Sequence, residues 1–248
     1  ALPISFIEVD EFIGNVEPST RSVSTALNAN LASLFTGGAP TLTSAEIKEV
    51  NDAYAKMTSI NCYRNIDEAV RNKTSYAGTI FLDDTYASAY FRKGSLAFPP
   101  YGILASSMEH EFIHMYQRDV QGKKVDTDKE KRDTGMMEFE LAFYQGIIRY
   151  IHAGYSWTFK GEDGDPSYQS LWTSGLTDPS LIPQYEREFQ TYVASICANG
   201  KPTSIDINEF VKWSNIFGEY SRGYSGKGYK FGNYDYGTSC INSLLKLY

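Results

Sequence analysis

The chain has 248 residues, of which 42% are hydrophobic and 15% aromatic, so it can bury a sizeable core and is not disordered as a whole. Its formal net charge is −7, from 23 basic and 30 acidic residues. This excludes nucleic acid as the main partner, because a phosphate-binding surface needs a basic excess. No apolar run approaches the roughly 20 residues of a membrane-spanning helix, so no transmembrane segment is predicted.

The first forty residues differ in composition from the rest of the chain. They are rich in Ser, Thr and Asn, contain short apolar islands, and end at Gly37-Gly38-Ala39-Pro40, a strong breaker of regular structure. We predict that residues 1–40 form an N-terminal arm and that residues 41–248 form a single domain. Within this domain we expect an upper part, 41–120, that contains the strands and a lower part, 121–248, that is mainly helical.

Helix and strand signals follow one another along the upper part. The pattern Thr43-Ser44-Ala45-Glu46 is typical of a capping box, which predicts a helix that runs to about Ser59. A shorter helix is predicted at Ile66–Arg71. The segments that follow predict three strands at Gly78–Leu82, Tyr86–Arg92 and Ser95–Phe98, and then a helix over Tyr101–Arg118.

The lower part is predicted to be helical around two irregular segments. Residues 121–133 are almost wholly polar and predict a solvated loop, and residues 218–237 combine six glycines with five tyrosines. Apolar periodicity and terminal signals predict four helices: Thr134–Ala153, a helix from Pro179 to about Asn199, Ile205–Phe217 and Thr238–Tyr248. With the strands of the upper part, these helices predict an α+β fold.

One short motif carries the chemistry. His110-Glu111-Phe112-Ile113-His114 lies in a predicted helix, and residues four apart lie on the same helical face. Two imidazoles at that spacing can reach one zinc ion, while Glu111 is rotated by about 100° and can reach a water on the metal without binding the metal itself. The chain has only three histidines, so two of them in this motif indicate a metal site. We predict His110 and His114 as zinc ligands and Glu111 as the catalytic general base.

The third ligand that a catalytic zinc ion needs is left open by spacing alone. Position 120, where a longer motif would have a third histidine, is Val120. Glu138, Glu140 and His152 lie on the next predicted helix and are the candidates. Glu138 and His152 are about 21 Å apart along a continuous helix, so they cannot bind the same ion.

The segment Met137–Phe143, downstream of the motif, resembles the gluzincin group of metallopeptidases, in which a later helix supplies a glutamate ligand. Carried over residue by residue, the ligand falls on Glu138, and Glu140 is a neighbour that points elsewhere. The resemblance implies a zincin-like α+β fold with the metal cleft between the two parts, and one Zn²⁺ per chain. It also implies hydrolysis of peptide bonds, with Glu111 assisting the attack of a water on the zinc.

Two further features concern the substrate, which we expect to be a peptide or a protein. A zincin-type peptidase holds the substrate backbone against an edge strand, and Ser95–Phe98 is either that strand or part of an ordinary hairpin. A hydroxyl that stabilises the transition state would come from one of four tyrosines: Tyr224, Tyr229, Tyr234 and Tyr236. The alternatives to a peptidase are a degenerate zincin-fold binding or envelope protein, and a zinc-dependent amidohydrolase that acts on a non-peptide amide.

The cysteines and the first residues bear on the compartment. Cys62, Cys197 and Cys240 form no Cys-x-x-Cys pair, so they are three buried thiols or one disulfide with a spare thiol. The sequence begins Ala-Leu-Pro without a methionine, which is typical of a processed product, and it is rich in Tyr, Asn, Ser and Gly. We expect a secreted or cell-envelope protein.

Overall fold

Short strands among helices occupy the first half of the chain, and longer helices dominate the second half. The computed structural model describes residues 26–123, 132–156, 158–160, 166–168, 179–221 and 225–248. The first half contains α1 (Ala29–Leu34), α2 (Ser44–Ser59), α3 (Asn61–Lys73), β1 (Ile80–Leu82), β2 (Tyr90–Arg92), β3 (Ser95–Phe98) and α4 (Ala105–Met115). The second half contains α5 (Arg132–His152), β4 (Thr158–Lys160), β5 (Pro166–Tyr168), α6 (Ile182–Ile196), α7 (Ile207–Tyr220) and α8 (Ser239–Lys246). The predicted α+β class is confirmed.

The described end of the predicted N-terminal arm packs into the core. Residues 1–25 lie outside the described residues. The Asn28 side chain caps α1, and the chain then contributes Leu31, Leu34 and Phe35, each at most 1% exposed. This part of the arm therefore contributes to the hydrophobic core beside α3.

The predicted capping box begins α2. The Thr43 hydroxyl accepts a hydrogen bond from the Glu46 N–H at 3.3 Å, and the Glu46 carboxylate accepts one from the Thr43 N–H at 2.6 Å. These bonds satisfy donors that the start of a helix leaves open. Val50, Tyr54 and Met57 are buried, so the helix packs on the core through the face that its spacing predicts.

Tertiary packing makes α3 longer than its sequence signal. The periodicity covers Ile66–Arg71, whereas the helix begins at Asn61. Asn, Cys and Tyr have modest intrinsic helix propensity, but Cys62 and Tyr63 are buried in the core. Their burial extends the helix toward its N-terminus, which a local pattern does not predict.

The three-stranded sheet has the order β1–β3–β2, with β3 in the centre. β1 is parallel to β3, and β2 is antiparallel to it. Lys93 and Gly94 join β2 to β3 with φ angles of 50° and 78°, as in a two-residue hairpin turn that matches the twist of the strands. Ser95–Phe98 is thus one arm of a hairpin and the central strand, so its interpretation as an edge strand was wrong. On the β2 side, the outer strand is β2 itself, which packs against α4.

A π-helical turn follows α4 directly. Tyr116–Val120 adopts this wider geometry, and the Gln121 N–H bonds to the Tyr116 carbonyl, five residues back, at 3.0 Å. The predicted helix over Tyr101–Arg118 therefore begins four residues later and changes geometry before its end. Such π turns are rare and are frequently found at functional sites.

An aromatic core fixes the rotation of α5. Phe139 and Phe143 stack with their ring centroids 5.4 Å apart, and both contact Phe210 on α7. All three rings are completely buried, and each contributes about 1.5–3 kcal/mol of burial free energy. With this face of α5 turned to the core, Glu138 is directed toward α4.

Residues 218–237, which are rich in glycine and tyrosine, are termed the Gly/Tyr segment. Two helical glycines let its residues 225–237 lie close against α5 and α7. A Cβ atom on Gly135 of α5 would lie 2.8 Å from the Lys230 carbonyl oxygen. A Cβ atom on Gly218 of α7 would collide with the ring of Phe231. Phe231 is therefore an anchor that holds the segment beside the first turns of α5.

A second hairpin and a modified helix start lie in the lower part. β4 and β5 pair antiparallel, and residues 161–165, which lie between them in the sequence, are outside the described residues. The helix predicted to begin at Pro179 starts as a 3₁₀ turn, Pro179–Leu181, and continues as α6.

Candidate metal centre

Two helices bring three of the predicted ligands together. His110 and His114 lie one turn apart on α4, with their Nε2 atoms 3.1 Å apart. Glu138 enters from α5, with its Oε1 3.4 Å from Nε2 of His114 and its Oε2 3.8 Å from Nε2 of His110. One ligand atom from each residue lies within 4.8 Å of the other two. Two imidazole nitrogens and a carboxylate oxygen therefore converge, and this group could bind a metal ion.

The chemistry of these donors fits a divalent transition-metal ion. Catalytic zinc sites use three nitrogen, oxygen or sulfur ligands from the protein and keep a fourth position open. The side chains of His110, His114 and Glu138 are 23%, 18% and 19% exposed, so the cluster can be reached from solvent. Imidazole and carboxylate also suit other divalent transition metals, so the donor set defines a class of ion.

The protonation states of the three side chains in this cluster depend on one another. Burial lowers the pKa of His110, and the nearby His114 lowers it further. Burial acts in the same direction on His114, but the charge and hydrogen bond of Glu138, together with the charge of Glu111 and the hydrogen bond to Gln117, raise the pKa of His114. A proton on His114 and the negative charge of Glu138 therefore favour each other. A divalent cation would take the place of this proton, so binding releases a proton.

Glu111 lies between the two histidines in the motif and is only 5% exposed. Burial raises its pKa to about 7, against the opposing effects of the His114 charge and of the Phe91 N–H, which donates a hydrogen bond to the carboxylate. A buried carboxyl group with a pKa near neutrality suits a general base. Because Phe91 lies on β2, this bond also joins the outer strand of the sheet to the motif helix.

A second acidic residue of α4, Glu109, faces away from the cluster. Its carboxyl group accepts a hydrogen bond from Tyr63 and lies near Arg149. Glu109 precedes His110 directly in the chain, and this orientation directs its charge toward groups other than the metal ligands.

The two alternative ligands lie elsewhere. Glu140 is completely buried, and its Oε2 accepts hydrogen bonds from Gln117 and from the Tyr236 hydroxyl, each at 2.8 Å. His152 lies in the last turn of α5, where its ring packs edge-on against Tyr248 with the centroids 5.6 Å apart. Neither residue belongs to the ligand cluster found among the described residues.

Gln117 is a residue of this centre that the sequence analysis missed. Its Oε1 lies 2.8 Å from Nδ1 of His114, and its Nε2 donates to the Met137 carbonyl at 2.9 Å. The side chain is completely buried. A metal-binding histidine usually donates its second ring N–H to an acceptor. The position of Gln117, three residues after His114 on the same helical face, was therefore a signal in the sequence for such an acceptor.

The four candidate tyrosines have different environments. Tyr224 lies outside the described residues, and Tyr234 is 57% exposed. Tyr236 is buried and bonded to Glu140. Tyr229 is half-buried, and burial together with the charge of Glu138 raises its pKa. Among the three described tyrosines, Tyr229 is thus the one whose pKa is raised by the charge of a predicted ligand, Glu138.

Comparisons with known proteins add no family assignment. No protein-family model, no curated protein and no solved structure matches the chain. Among the described helices, none is both long and apolar enough to cross a membrane. The geometry and chemistry of the metal centre are therefore the basis for a functional assignment.

Proposed function

We propose that this protein is a zinc-dependent metallopeptidase of the gluzincin type that hydrolyses peptide bonds. The observation that supports this best is the convergence of His110, His114 and Glu138, with the buried Glu111 on the same helix as the two histidines. Structural zinc sites are usually closed by four protein ligands and have no use for a base. Three converging ligands with a neighbouring carboxyl group match a catalytic site better.

The residues have separate roles in this proposal. His110, His114 and Glu138 would hold the ion, which when bound supplies Lewis acidity that polarises a carbonyl and lowers the pKa of water toward about 7. Glu111 accepts a proton from the attacking water as the water oxygen bonds to the carbonyl carbon. It then delivers this proton to the amine nitrogen as the carbon–nitrogen bond breaks. A pKa near 7 suits both steps, because the group must gain and lose the same proton.

The substrate backbone would lie beside β2. β3 occupies one side of this strand, and the Phe91 N–H on the other side is directed at Glu111. An extended peptide that runs along β2 would lie close to the general base, and its pairing would use main-chain groups of this strand other than the Phe91 N–H, which already donates to Glu111. In this proposal β2 is the edge strand that holds the substrate, a role for which the sequence analysis considered Ser95–Phe98.

Glu111→Gln tests the proposal, because it keeps the size of the side chain and removes the base. We expect cleavage of an internally quenched peptide library to fall by about 10²–10⁴-fold or more, while the purified variant keeps about one zinc per chain. Glu109→Gln is the matched control, since it removes a neighbouring carboxylate that faces away from the cluster, and it should keep activity.

Three results would overturn the peptidase proposal. They are a wild type that binds no zinc, a zinc-loaded wild type that cleaves no peptide, and a Glu111→Gln variant that cleaves as fast as the wild type. Small acylated amines measured in parallel identify the amidohydrolase alternative, in which these compounds are hydrolysed and the peptide library is not.

A further inference from the structure

We propose that Gln117 is a positioning residue that fixes the ring of His114 for metal binding, and that Glu140 and Tyr236 in turn fix Gln117. The inference rests on the proposed function, because it concerns the same metal centre. Gln117 and Glu140 are completely buried, and Tyr236 is 4% exposed. The four groups, from His114 to Tyr236, are joined by hydrogen bonds of 2.8 Å each.

The orientation of the Gln117 amide is determined by its two acceptors. Its nitrogen carries two hydrogens, and it lies 2.9 Å from the Met137 carbonyl oxygen and 2.8 Å from Oε2 of Glu140. A reversed amide would place its oxygen against both of these acceptors, with no hydrogen between them. The amide oxygen therefore faces His114.

This orientation selects the ring nitrogen with which His114 can bind a metal. An amide oxygen can only accept a hydrogen bond, so Nδ1 of His114 must carry the hydrogen. In the neutral imidazole this leaves the lone pair on Nε2, the atom that faces Glu138 at 3.4 Å. Gln117 thus holds both the tautomer and the rotation of the ring in the form that a ligand needs.

The same amide also ties the third ligand to the first two. The Met137 carbonyl, to which Gln117 donates, lies in α5 directly before Glu138. One side chain from the π turn after α4 therefore bonds to a ligand ring on α4 and to the backbone beside a ligand on α5. Loss of this amide would loosen both the ring of His114 and the spacing between the two helices.

Glu140 strengthens the amide as an acceptor for His114. A carboxylate that accepts from the amide nitrogen polarises the amide and makes its oxygen a better hydrogen-bond acceptor. In many metal sites the carboxylate bonds the histidine directly. Here the neutral Gln117 lies between them, so Glu140 acts on His114 through another residue and is a positioning residue instead of a ligand.

Tyr236 connects this chain of bonds to the Gly/Tyr segment. Its hydroxyl donates to Glu140, and its backbone carbonyl accepts from Lys123 Nζ at 2.7 Å. The Lys123 ammonium also lies 3.8 Å from the centroid of the Tyr236 ring. Tyr236, one of the candidates for contact with the transition state, is therefore held in the interior. It acts on the ligand His114 only through Glu140 and Gln117.

Zinc affinity and the ring resonances of His114 test this assignment without any substrate. Gln117→Leu removes the amide at similar volume, and we expect zinc affinity, measured against a chromophoric chelator, to fall about 10–100-fold. Nitrogen–proton spectra of the zinc-loaded wild type should show a protected Nδ1–H of His114, and this signal should be lost in the variant. Gln121→Leu is the matched control, because its amide lies beside the same π turn and bonds to Tyr116. It should change neither readout.

Exchanging the amide and the carboxylate between positions 117 and 140 distinguishes a lost hydrogen bond from a general loss of folding. Gln117→Glu alone would place two carboxylates against each other in a buried site, so zinc affinity should fall. Adding Glu140→Gln restores an amide donor opposite the new carboxylate, which can still accept from Nδ1 of His114. We expect the double variant to recover at least tenfold in affinity and to regain the Nδ1–H signal.

The outcomes separate this inference from the proposed function. Wild-type protein that binds no zinc would overturn both. Zinc binding in the wild type that is unchanged in Gln117→Leu would overturn only the role of Gln117. A double variant no better than Gln117→Glu alone would overturn the role of Glu140.

Discussion

Glu138 on α5 lies 3.4 Å from His114 on α4, measured between Oε1 and Nε2. The two residues approach each other across a helix–helix contact, with a polar stretch of chain between them in the sequence. Glu138 adds a carboxylate oxygen to the two imidazole nitrogens of α4 and completes the group of three that could bind a metal ion.

Removal of this carboxylate by Glu138→Ala should abolish stable zinc binding. We expect affinity to fall by more than the 10–100-fold that is typical of groups outside the first ligand shell. Elemental analysis of the purified protein, together with chelator competition, measures the change. The matched control is Asp52→Asn, which removes an exposed acid paired with Lys48 on α2. Full zinc occupancy in Glu138→Ala would contradict the ligand set.

The extent to which the sequence predicts this centre depends on how local each contact is. His110 and His114 are related by helical spacing alone, and the capping box at Thr43 is likewise local. Glu138 was selected among three candidates only through a family resemblance, because its approach to His114 depends on how α5 packs on α4. Gln117 was missed since its role requires acceptors from α5.

The order of the strands in the sheet also depends on contacts that a local sequence pattern does not predict. The positions of the three strands of the upper sheet follow from apolar runs and turn signals. Which strand is central depends on pairing between residues far apart, such as Ile80 with Leu96. Ser95–Phe98 could therefore be located in the sequence but could not be placed in the sheet.

Tyr229→Phe should reduce turnover without reducing zinc content. Its hydroxyl is within electrostatic range of Glu138, where it could donate a hydrogen bond to an oxyanion. We expect kcat to fall by about 10²–10³-fold, the usual cost of one lost oxyanion donor. Tyr234→Phe removes a hydroxyl from an exposed ring of the same segment and should keep its activity. Equal activity of the two variants would exclude Tyr229 from the transition state.

Gly218→Ala should displace the segment that carries Tyr229. The added Cβ would collide with the ring of Phe231, and overpacking of this kind typically costs about 1–3 kcal/mol of unfolding free energy. Urea unfolding measures this cost. Because the metal ligands lie on α4 and α5, zinc content should be retained while hydrolysis decreases.

Gly218→Ala in a Phe231→Ala background tests whether the collision with the Phe231 ring causes the destabilisation. The three atoms nearest to the added Cβ all belong to the ring of Phe231. With the ring removed, we expect the better helix propensity of alanine at position 218 to stabilise the protein by about 0.5–1 kcal/mol. The effect of Gly218→Ala is therefore expected to change sign between the two backgrounds. Destabilisation of similar size in both would mean that Phe231 is not the cause.

The three cysteines should be unreactive thiols in the folded protein. Cys62, Cys197 and Cys240 are all free and at most 3% exposed. Of the two possibilities left open by the sequence, the structure therefore has three buried thiols and no disulfide among them. Burial raises the pKa of Cys62 to about 12 and that of Cys197 to about 11. Since the thiolate is the reacting species, a chromogenic disulfide reagent at pH 8 should label none of them within minutes. After unfolding in guanidinium without reductant it should label all three, and a count of one would show that a disulfide had formed.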